Sequence, residues 1–257
     1  MSTDFLNSTA VLTGRTLKHV TRSPDTIITT AVMPIGIMLL FVFVLGGAIT
    51  TGPPSGQDHY IDYAVPGVLL ITVAMGISYT SYRLFIDLQE GIIDRFSSMP
   101  IARFAPIWAH VMTSVAATSV SVVAVIAAAL LVGFRSGADV LAWIVVAGLL
   151  LLFTLALTWV AVVAGLLAKT IDGASALSYP LILLPFLSSA FVPTASMPAP
   201  VRWFAEHQPA TSIVNSIRDL LTEQPVGDEI WVAVAWCVVI FVLGFVGTMG
   251  VYRWKSS

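Results

Sequence analysis

Six long stretches of this chain contain no Asp, Glu, Lys or Arg, and this feature limits the fold more than any other. The stretches cover residues 27–49, 63–82, 104–134, 140–168, 173–201 and 230–252. A helix that crosses a bilayer needs about 20 consecutive apolar residues. One charge at its centre costs about 2.5–3.5 kcal/mol on insertion scales. The pattern therefore predicts an all-α, polytopic membrane protein with six transmembrane helices in one domain over residues 1–257.

The composition supports a membrane environment and excludes several function classes. Hydrophobic residues make up 57% of the chain and charged residues 10%, whereas a soluble domain carries about 25% charged residues. The net charge of −2 provides no basic surface for nucleic acid. The single cysteine, Cys237, lies in an apolar run, which rules out a disulfide within the chain and predicts a buried apolar side chain.

The distribution of lysine and arginine predicts that both termini lie in the cytoplasm. With the N-terminus inside, nine of the 12 basic residues fall on inner segments and three on outer segments: Arg135, Arg202 and Arg218. Cytoplasmic loops of membrane proteins carry this excess. The sequence therefore predicts an N-in, C-in protein of the cell membrane.

Residues 1–26 are predicted to be a retained cytoplasmic arm, because they lack the apolar core of a signal peptide. Phe5, Leu12, Leu17 and Val20 alternate with basic residues up to Pro24. This weak amphipathic pattern favours a helix along the inner membrane surface. A partly ordered basic tail is the alternative.

The inner loop at residues 83–103 has a helical pattern of its own. Leu84, Leu88, Ile92 and Phe96 recur every four residues, and four charged residues lie on the opposite side: Arg83, Asp87, Glu90 and Asp94. We expect a short amphipathic helix with its charged side toward the cytoplasm, a bend at Gly91 and an end at Pro100. An anionic inner leaflet does not attract an acidic face, so the pattern favours a protein partner over lipid.

The first part of the fifth stretch is predicted to span the membrane, and residues 193–229 are predicted to form an extracytoplasmic segment. Pro185 is expected to break the fifth helix, and the remainder of that run is expected to be irregular or re-entrant. An apolar stripe then predicts a short helix across the outer end of the bundle, preceded by Pro209 and capped by Thr211 or Ser212; the stripe consists of Ile213, Val214, Ile217, Leu220 and Leu221. This helix either closes a translocation path or covers helix ends.

The chain lacks the motifs that would supply energy for transport. Lys169-Thr170 is the nearest fragment of a P-loop, but Ala168 precedes it where glycine is required. The six stretches contain no carboxylate for ion coupling, and we interpret His110 as an ordinary interfacial residue. No HExxH motif or paired aspartates indicate a protease. The hypothesis that follows is a non-enzymatic transporter driven by another subunit; a channel, an ion-coupled carrier and a scaffold remain alternatives.

Three local patterns, taken in order between the predicted spans, resemble the type-2 ATP-binding-cassette export permeases, in particular the daunorubicin-resistance group. The first pattern is Arg15 with Arg22-Ser23-Pro24 before the first span. The second, in the inner loop, is Asp87-Leu88-Gln89-Glu90-Gly91 with Arg95 and Pro100. The third, in the outer segment, is Phe191-Val192-Pro193, Met197-Pro198 and Pro209 leading to Arg218. The chain departs from the family in having Gln208 before Pro209, where asparagine is common, and Phe96-Ser97 after the arginine, where a leucine pair is common.

The resemblance implies a dimer of six-span subunits, identical or different, above two cytoplasmic ATPase subunits that hold ATP and Mg²⁺; this chain itself carries no cofactor and no metal. It implies that residues 86–98 form a coupling helix that docks on the ATPase, through Asp87, Glu90, Gly91, Asp94 and Arg95. Arg15 and Arg22 would form an N-terminal interface, and Pro198, Pro209 and Arg218 an extracytoplasmic gate. The implied cargo is a drug or lipid, which agrees with spans rich in methionine and aromatic residues.

Overall fold

A computed structural model describes residues 28–46, 57–92, 104–176 and 178–256. Every regular element within these ranges is helical. The predicted all-α class is therefore confirmed for the described part of the chain. The N-terminal arm, with Arg15 and Arg22, lies outside the described residues.

Four helices are long and apolar enough to cross a membrane. We name them α2 (Gln57–Gln89), α3 (Ala105–Val132), α4 (Val140–Leu167) and α9 (Glu229–Ser256). Helices α3, α4 and α9 have 28 residues each, which corresponds to about 42 Å at 1.5 Å per residue. Four of the predicted stretches thus form candidate membrane spans. Pro106 lies in the first turn of α3, where proline is favoured.

The other two predicted stretches form shorter apolar helical segments. The first contains π-helical turns at Ile28–Val32 and Leu40–Leu45 on either side of α1 (Met33–Leu39). The second contains α5 (Ile171–Ala176), α6 (Ser178–Leu183) and a 3₁₀ turn at Pro185–Leu187. The predicted break at Pro185 is confirmed, because α6 ends two residues before it and a single 3₁₀ turn then leads to extended backbone at Ser188. The count of six spans stays a prediction.

Helix α2 is the central helix of the bundle. In the most apolar 18-residue stretch of α2, 83% is buried, compared with 17% in the corresponding stretch of α9. It contacts α1, α3, α4, α5, α6 and α8. Close packing depends on small residues: a Cβ added at Gly244 of α9 would lie 2.9 Å from the Cβ of Trp159 in α4. Small residues bring helix backbones together in membranes, where lipid tails are as apolar as leucine.

Exposed tryptophans mark both ends of α9. Trp231 is 71% exposed and Trp254 is 73% exposed. The two residues are 23 positions apart, which corresponds to about 35 Å of helix, slightly more than the hydrocarbon core of a bilayer. Tryptophan is enriched at both membrane interfaces, so the two side chains fit the two borders of a bilayer around this helix.

The segment before α9 forms two helices, α7 (Ala199–His207) and α8 (Pro209–Leu221). The predicted stripe is confirmed, since Ile213, Val214, Ile217 and Leu221 are buried. The predicted caps are wrong: Pro209 already opens the helix, and the Thr211 hydroxyl donates to the carbonyl of Ala205 instead.

The expected position of α8 across the end of the bundle is also wrong. Its last residue, Leu221, accepts a hydrogen bond from Ser136 Oγ at 2.9 Å in the loop between α3 and α4. Near its first residue, Ala210 lines a cavity together with Phe153 of α4 and Ile240 of α9. Those two residues lie near the middle of their helices, so α8 lies alongside the bundle and rises from mid-depth at Ala210 to the predicted outer end at Leu221. The apolar stripe requires burial but does not specify the direction of the helix.

Candidate functional site

Arg218 connects three separate elements at the predicted outer end of the bundle. From α8, its Nη2 donates to the carbonyls of Ser189 at 2.8 Å and Tyr63 at 3.2 Å, and its Nη1 donates to Asn215 Oδ1 at 3.0 Å. The guanidinium carbon also lies 3.7 Å from the centre of the Tyr63 ring. A planar cation with five donors suits such a junction. We call Arg218, Tyr63, Ser189 and Asn215 the outer node.

The outer node satisfies backbone that the break at Pro185 leaves without helical partners. Tyr63 Oη donates to the carbonyl of Ser189 at 2.8 Å, and Tyr60 Oη donates to that of Phe191 at 3.2 Å. An unpaired carbonyl at membrane depth costs several kcal/mol. Burial lowers the pKa of Arg218, and nearby Tyr63 and Asp219 partly offset this effect; a guanidinium stays charged under these conditions.

The three residues predicted as an extracytoplasmic gate occupy three different places. Arg218 is in the outer node, in the last turn of α8. Pro209 is the first residue of the same helix, and Pro198 is exposed directly before α7. Their role as a gate stays a prediction. Sequence patterns indicated Arg218 but not Tyr63, Ser189 and Asn215, since these residues meet only through the fold.

At the predicted inner end, α2 continues further than expected. The chain was expected to leave the second span at Arg83 and begin a separate amphipathic helix. Instead α2 runs without interruption to Gln89, and the chain turns at Glu90 and Gly91. No helix-breaking residue lies between Tyr82 and Gln89, which explains the continuation. The expected bend at Gly91 is confirmed by its φ of +66°, in the left-handed region that favours glycine. Asp94 and Arg95 lie outside the described residues.

Asp87 does not point toward the cytoplasm as expected. Its Oδ2 lies 3.1 Å from His110 Nε2 in α3, and its Oδ1 lies 4.0 Å from Nη2 of Arg83. The side chains of Asp87 and His110 are 14% and 9% exposed. A carboxylate therefore lies near the end of a candidate span, although the uncharged stretches predicted spans without carboxylates. The partners are 23 residues apart in the chain, and helical periodicity could not pair them.

A row of hydroxyl groups continues from this pair into the bundle. Thr80 Oγ1 donates to Ser114 Oγ at 2.6 Å, and Ser114 Oγ lies 3.4 Å from Thr158 Oγ1. A cleft of about 20 Å³ beside the row is lined by Thr80, Ser114, Thr113 and His110, among others. This volume is enough for one water molecule. Among the described residues, Thr113 Oγ1 is buried without a hydrogen-bond partner, so the cleft has a polar group available for a guest.

The described residues contain no cluster of three or more His, Cys, Asp or Glu side chains that could hold a metal ion. The two polar sites therefore offer hydrogen bonds and single charges. The outer node holds irregular backbone in place, and the Asp87–His110 pair joins α2 to α3 beside the Gly91 turn.

Comparison with known proteins adds two findings. Residues 7–222 match the family described as ABC-2 type transporter. The chain is also 26% identical over 223 residues to the daunorubicin resistance ABC transporter permease protein DrrB1 of Streptomyces coeruleorubidus; this similarity covers 82% of the chain and 76% of the relative.

Proposed function

Because this chain belongs to the ABC-2 type transporter family, we propose that it is the membrane permease of an ATP-driven exporter. The proposed exporter moves a hydrophobic or amphipathic cargo, a drug or a lipid, out of the cytoplasm or inner leaflet. The chain is a multi-pass membrane protein of the ABC permease class. The relative is a permease of daunorubicin resistance by its name, which supports a drug-like cargo for this chain.

The proposed assembly is a dimer of permease subunits with two cytoplasmic ATPase subunits that bind ATP and Mg²⁺. In each permease, six spans place both termini in the cytoplasm. The four candidate spans and the two shorter apolar segments supply the apolar helices that this arrangement needs. The excess of lysine and arginine on the predicted inner segments supports the orientation.

The observation that carries the proposal is the continuity of α2. This helix has 33 residues, about 50 Å, and is continuous from the outer node at Tyr63 to the turn at Glu90 and Gly91. A displacement at the Gly91 end therefore moves the Tyr63 carbonyl that Arg218 holds near the other end. Residues 86–98 are proposed to dock on the ATPase, so that closure of the ATPase pair tilts α2 and opens the outer segment.

The test is purification of the tagged chain from its native membranes, followed by measurement of ATP hydrolysis and of ATP-dependent uptake into inverted vesicles. Daunorubicin, the drug in the relative's name, serves as the first probe, and a fluorescent phospholipid as the second. We expect a P-loop ATPase to copurify and vanadate to stop both hydrolysis and uptake. A correctly folded chain that copurifies with no ATPase would contradict the proposal.

The contact between Asp87 and His110 favours a proton-coupled carrier as the second candidate. Titratable residues inside membrane spans often serve proton relays, and this pair lies within two candidate spans. Uptake that survives vanadate but stops with a protonophore would support the carrier. Uptake with the opposite response would support the ATP-driven exporter.

A further inference from the structure

Helix α7 (Ala199–His207) turns most of its surface away from the rest of the chain. Within this helix, all of whose residues are described, Ala205 alone is buried. Trp203 and His207 lie two positions before and after Ala205, which places them on the opposite side of the helix. Trp203 is 65% exposed, and its ring stacks on the His207 ring with the centroids 4.9 Å apart. This side of α7 is therefore an exposed surface with an aromatic centre.

An ion pair lies beside the two stacked rings. Arg202 Nε donates to Glu206 Oε1 at 2.7 Å, and the two side chains are 50% and 39% exposed. On the other side of the rings, Phe204 is 42% exposed. We call Arg202, Trp203, Glu206 and His207 the α7 face. It combines opposite charges with exposed aromatic rings.

The residues that follow α7 place this face within the depth of the bilayer. Pro209 lines a cavity together with Phe153 of α4 and Ile240 of α9. Ile240 is nine positions past Trp231, which corresponds to about 14 Å of helix inside the outer border that Trp231 marks. Glu206 precedes Pro209 by three positions, and three residues span at most about 11 Å. The backbone of Glu206 therefore lies inside that border.

The chemistry of the α7 face limits what can cover it. Charged side chains at this depth of a membrane protein face protein or water, because lipid does not solvate them. Water in turn leaves the apolar surface of Trp203 and Phe204 exposed. Protein interfaces are enriched in tryptophan and arginine. A protein surface therefore suits the α7 face better than lipid or water does.

The arrangement of charge favours a second copy of this chain as that protein. Arg202 and Glu206 are four positions apart in α7, so the face presents a cation and an anion one helical turn apart. A two-fold axis brings Arg202 of each copy to Glu206 of the other, because both copies present the same surface patch. The α7 face is therefore complementary to itself.

We propose that the α7 face packs against the same face of a second copy of this chain, with the Trp203 and His207 rings at the centre of the contact. Arg202 of each copy pairs with Glu206 of the other copy. The contact removes both charges from lipid and buries the exposed rings. This inference rests on the dimer of the proposed function and specifies the surface through which that dimer forms.

The experiment produces the full chain with two different tags in one cell, without an ATPase partner. One tag is captured from detergent-solubilised membranes, and the amount of the other tag that copurifies measures pairing. We expect natural copies to pair. Two copies of Arg202→Glu should lose pairing severalfold, because each face then carries two carboxylates. Two copies of Glu206→Arg should lose it to the same extent, because each face then carries two cations.

A mixed pair separates contact between copies from the ion pair within one chain. A copy with Arg202→Glu meets a copy with Glu206→Arg as an acidic face against a basic face. We expect pairing to return to the natural level. The ion pair within the chain is broken in both copies, so a recovery reports contact between the copies.

The exposed tryptophans provide a second readout. Trp203→Ala should reduce pairing severalfold, because it removes the aromatic centre of the contact. The matched control is Trp231→Ala at the start of α9, since Trp231 is 71% exposed and lies outside the α7 face; pairing should stay unchanged. Size-exclusion chromatography of each variant identifies a misfolded chain, so that the folded variants decide the test.

Undiminished pairing between copies of Arg202→Glu, or a mixed pair of folded variants that stays apart, would overturn the proposal. Natural copies that do not pair would overturn it as well, as would equal pairing of Trp203→Ala and Trp231→Ala. These results do not depend on export, which is tested by the copurifying ATPase and by vanadate. Failure of the α7 contact and failure of the exporter proposal are therefore distinguishable.

Discussion

Arg218 and Tyr63 are 155 positions apart in the chain, yet the guanidinium carbon of Arg218 lies 3.7 Å from the centre of the Tyr63 ring. The same guanidinium also donates to the backbone carbonyl of Tyr63 at 3.2 Å. This contact ties the first turns of α2 to α8. It also holds the carbonyls of the segment after Pro185, so one cation organises the predicted outer end of the bundle.

Replacing Arg218 by lysine should destabilise the protein although the charge is kept. An ammonium group lacks the planar fork that reaches several acceptors together, and we expect a loss of about 2–3 kcal/mol, the value of one or two charge-assisted hydrogen bonds. Thermal unfolding in detergent, followed by size-exclusion chromatography, measures the change. Arg202→Lys is the matched control, since Arg202 forms an ion pair with the exposed Glu206 at 2.7 Å and its replacement should change stability little. Equal losses in both variants would refute the role of the outer node.

Changes at the Gly91 turn should uncouple ATP hydrolysis from export if the loop docks on an ATPase. Glu90 is exposed at the end of α2, and Gly91 has a φ of +66°, where valine costs about 1–3 kcal/mol of strain. We expect Glu90→Ala and Gly91→Val to lose export while the chain stays folded. Gly91→Asn should retain export, because asparagine tolerates this region. The readout is cargo uptake per ATP hydrolysed in inverted vesicles.

The control for the acidic side chain is Asp172→Ala. Asp172 is exposed in the first turn of α5, which follows the end of α4 at Leu167. It has the same charge as Glu90 and lies on the same predicted side of the membrane. If Asp172→Ala loses as much export as Glu90→Ala, a general loss of negative charge causes the defect, and the Gly91 turn does not.

Two glycine-to-alanine changes should have opposite effects on stability. A Cβ at Gly244 would lie 2.9 Å from the Cβ of Trp159, so Gly244→Ala should force α9 away from α4 and cost about 1–3 kcal/mol. A Cβ at Gly148 meets nothing within 4 Å, and Gly148→Ala should stabilise the helix by about 0.5–1 kcal/mol. Unfolding midpoints in the same detergent compare the two. A stable Gly244→Ala variant would show that the two helices do not need this close approach.

Stability near the outer node should depend on pH through Asp219. Burial raises the pKa of this carboxyl, the nearby Glu229 raises it further, and Arg218 lowers it. The folded state therefore holds the proton more tightly than the unfolded state, and stability falls as pH rises from the unfolded pKa, near 4, through the folded one. We expect Asp219→Asn to be more stable than the natural protein at pH 7, with a smaller difference as pH is lowered toward 4. A difference that stays constant between pH 4 and 7 would exclude Asp219 as the source.

The helices and their ends were predicted from the sequence with uneven success, and particular residues show why. Uncharged runs predicted the candidate spans because insertion depends on composition over about 20 residues. Pro185 predicted its own break because proline lacks the N–H that the helix requires. In contrast, the end of α2 was misplaced at Arg83, since a charged residue ends an apolar run without ending a helix. The caps at Thr211 and Ser212 were wrong because Pro209 starts the helix earlier.

The sequence by itself determined the helical class, the membrane environment and the break at Pro185, because each depends on residues that are neighbours in the chain. Only the tertiary structure decided that Asp87 meets His110, that Arg218 binds the carbonyls of Tyr63 and Ser189, and that α8 lies alongside the bundle next to a cavity. These contacts join helices whose order in space follows from packing. Apolar helices bury equally well against several neighbours, so periodicity alone does not select the partner.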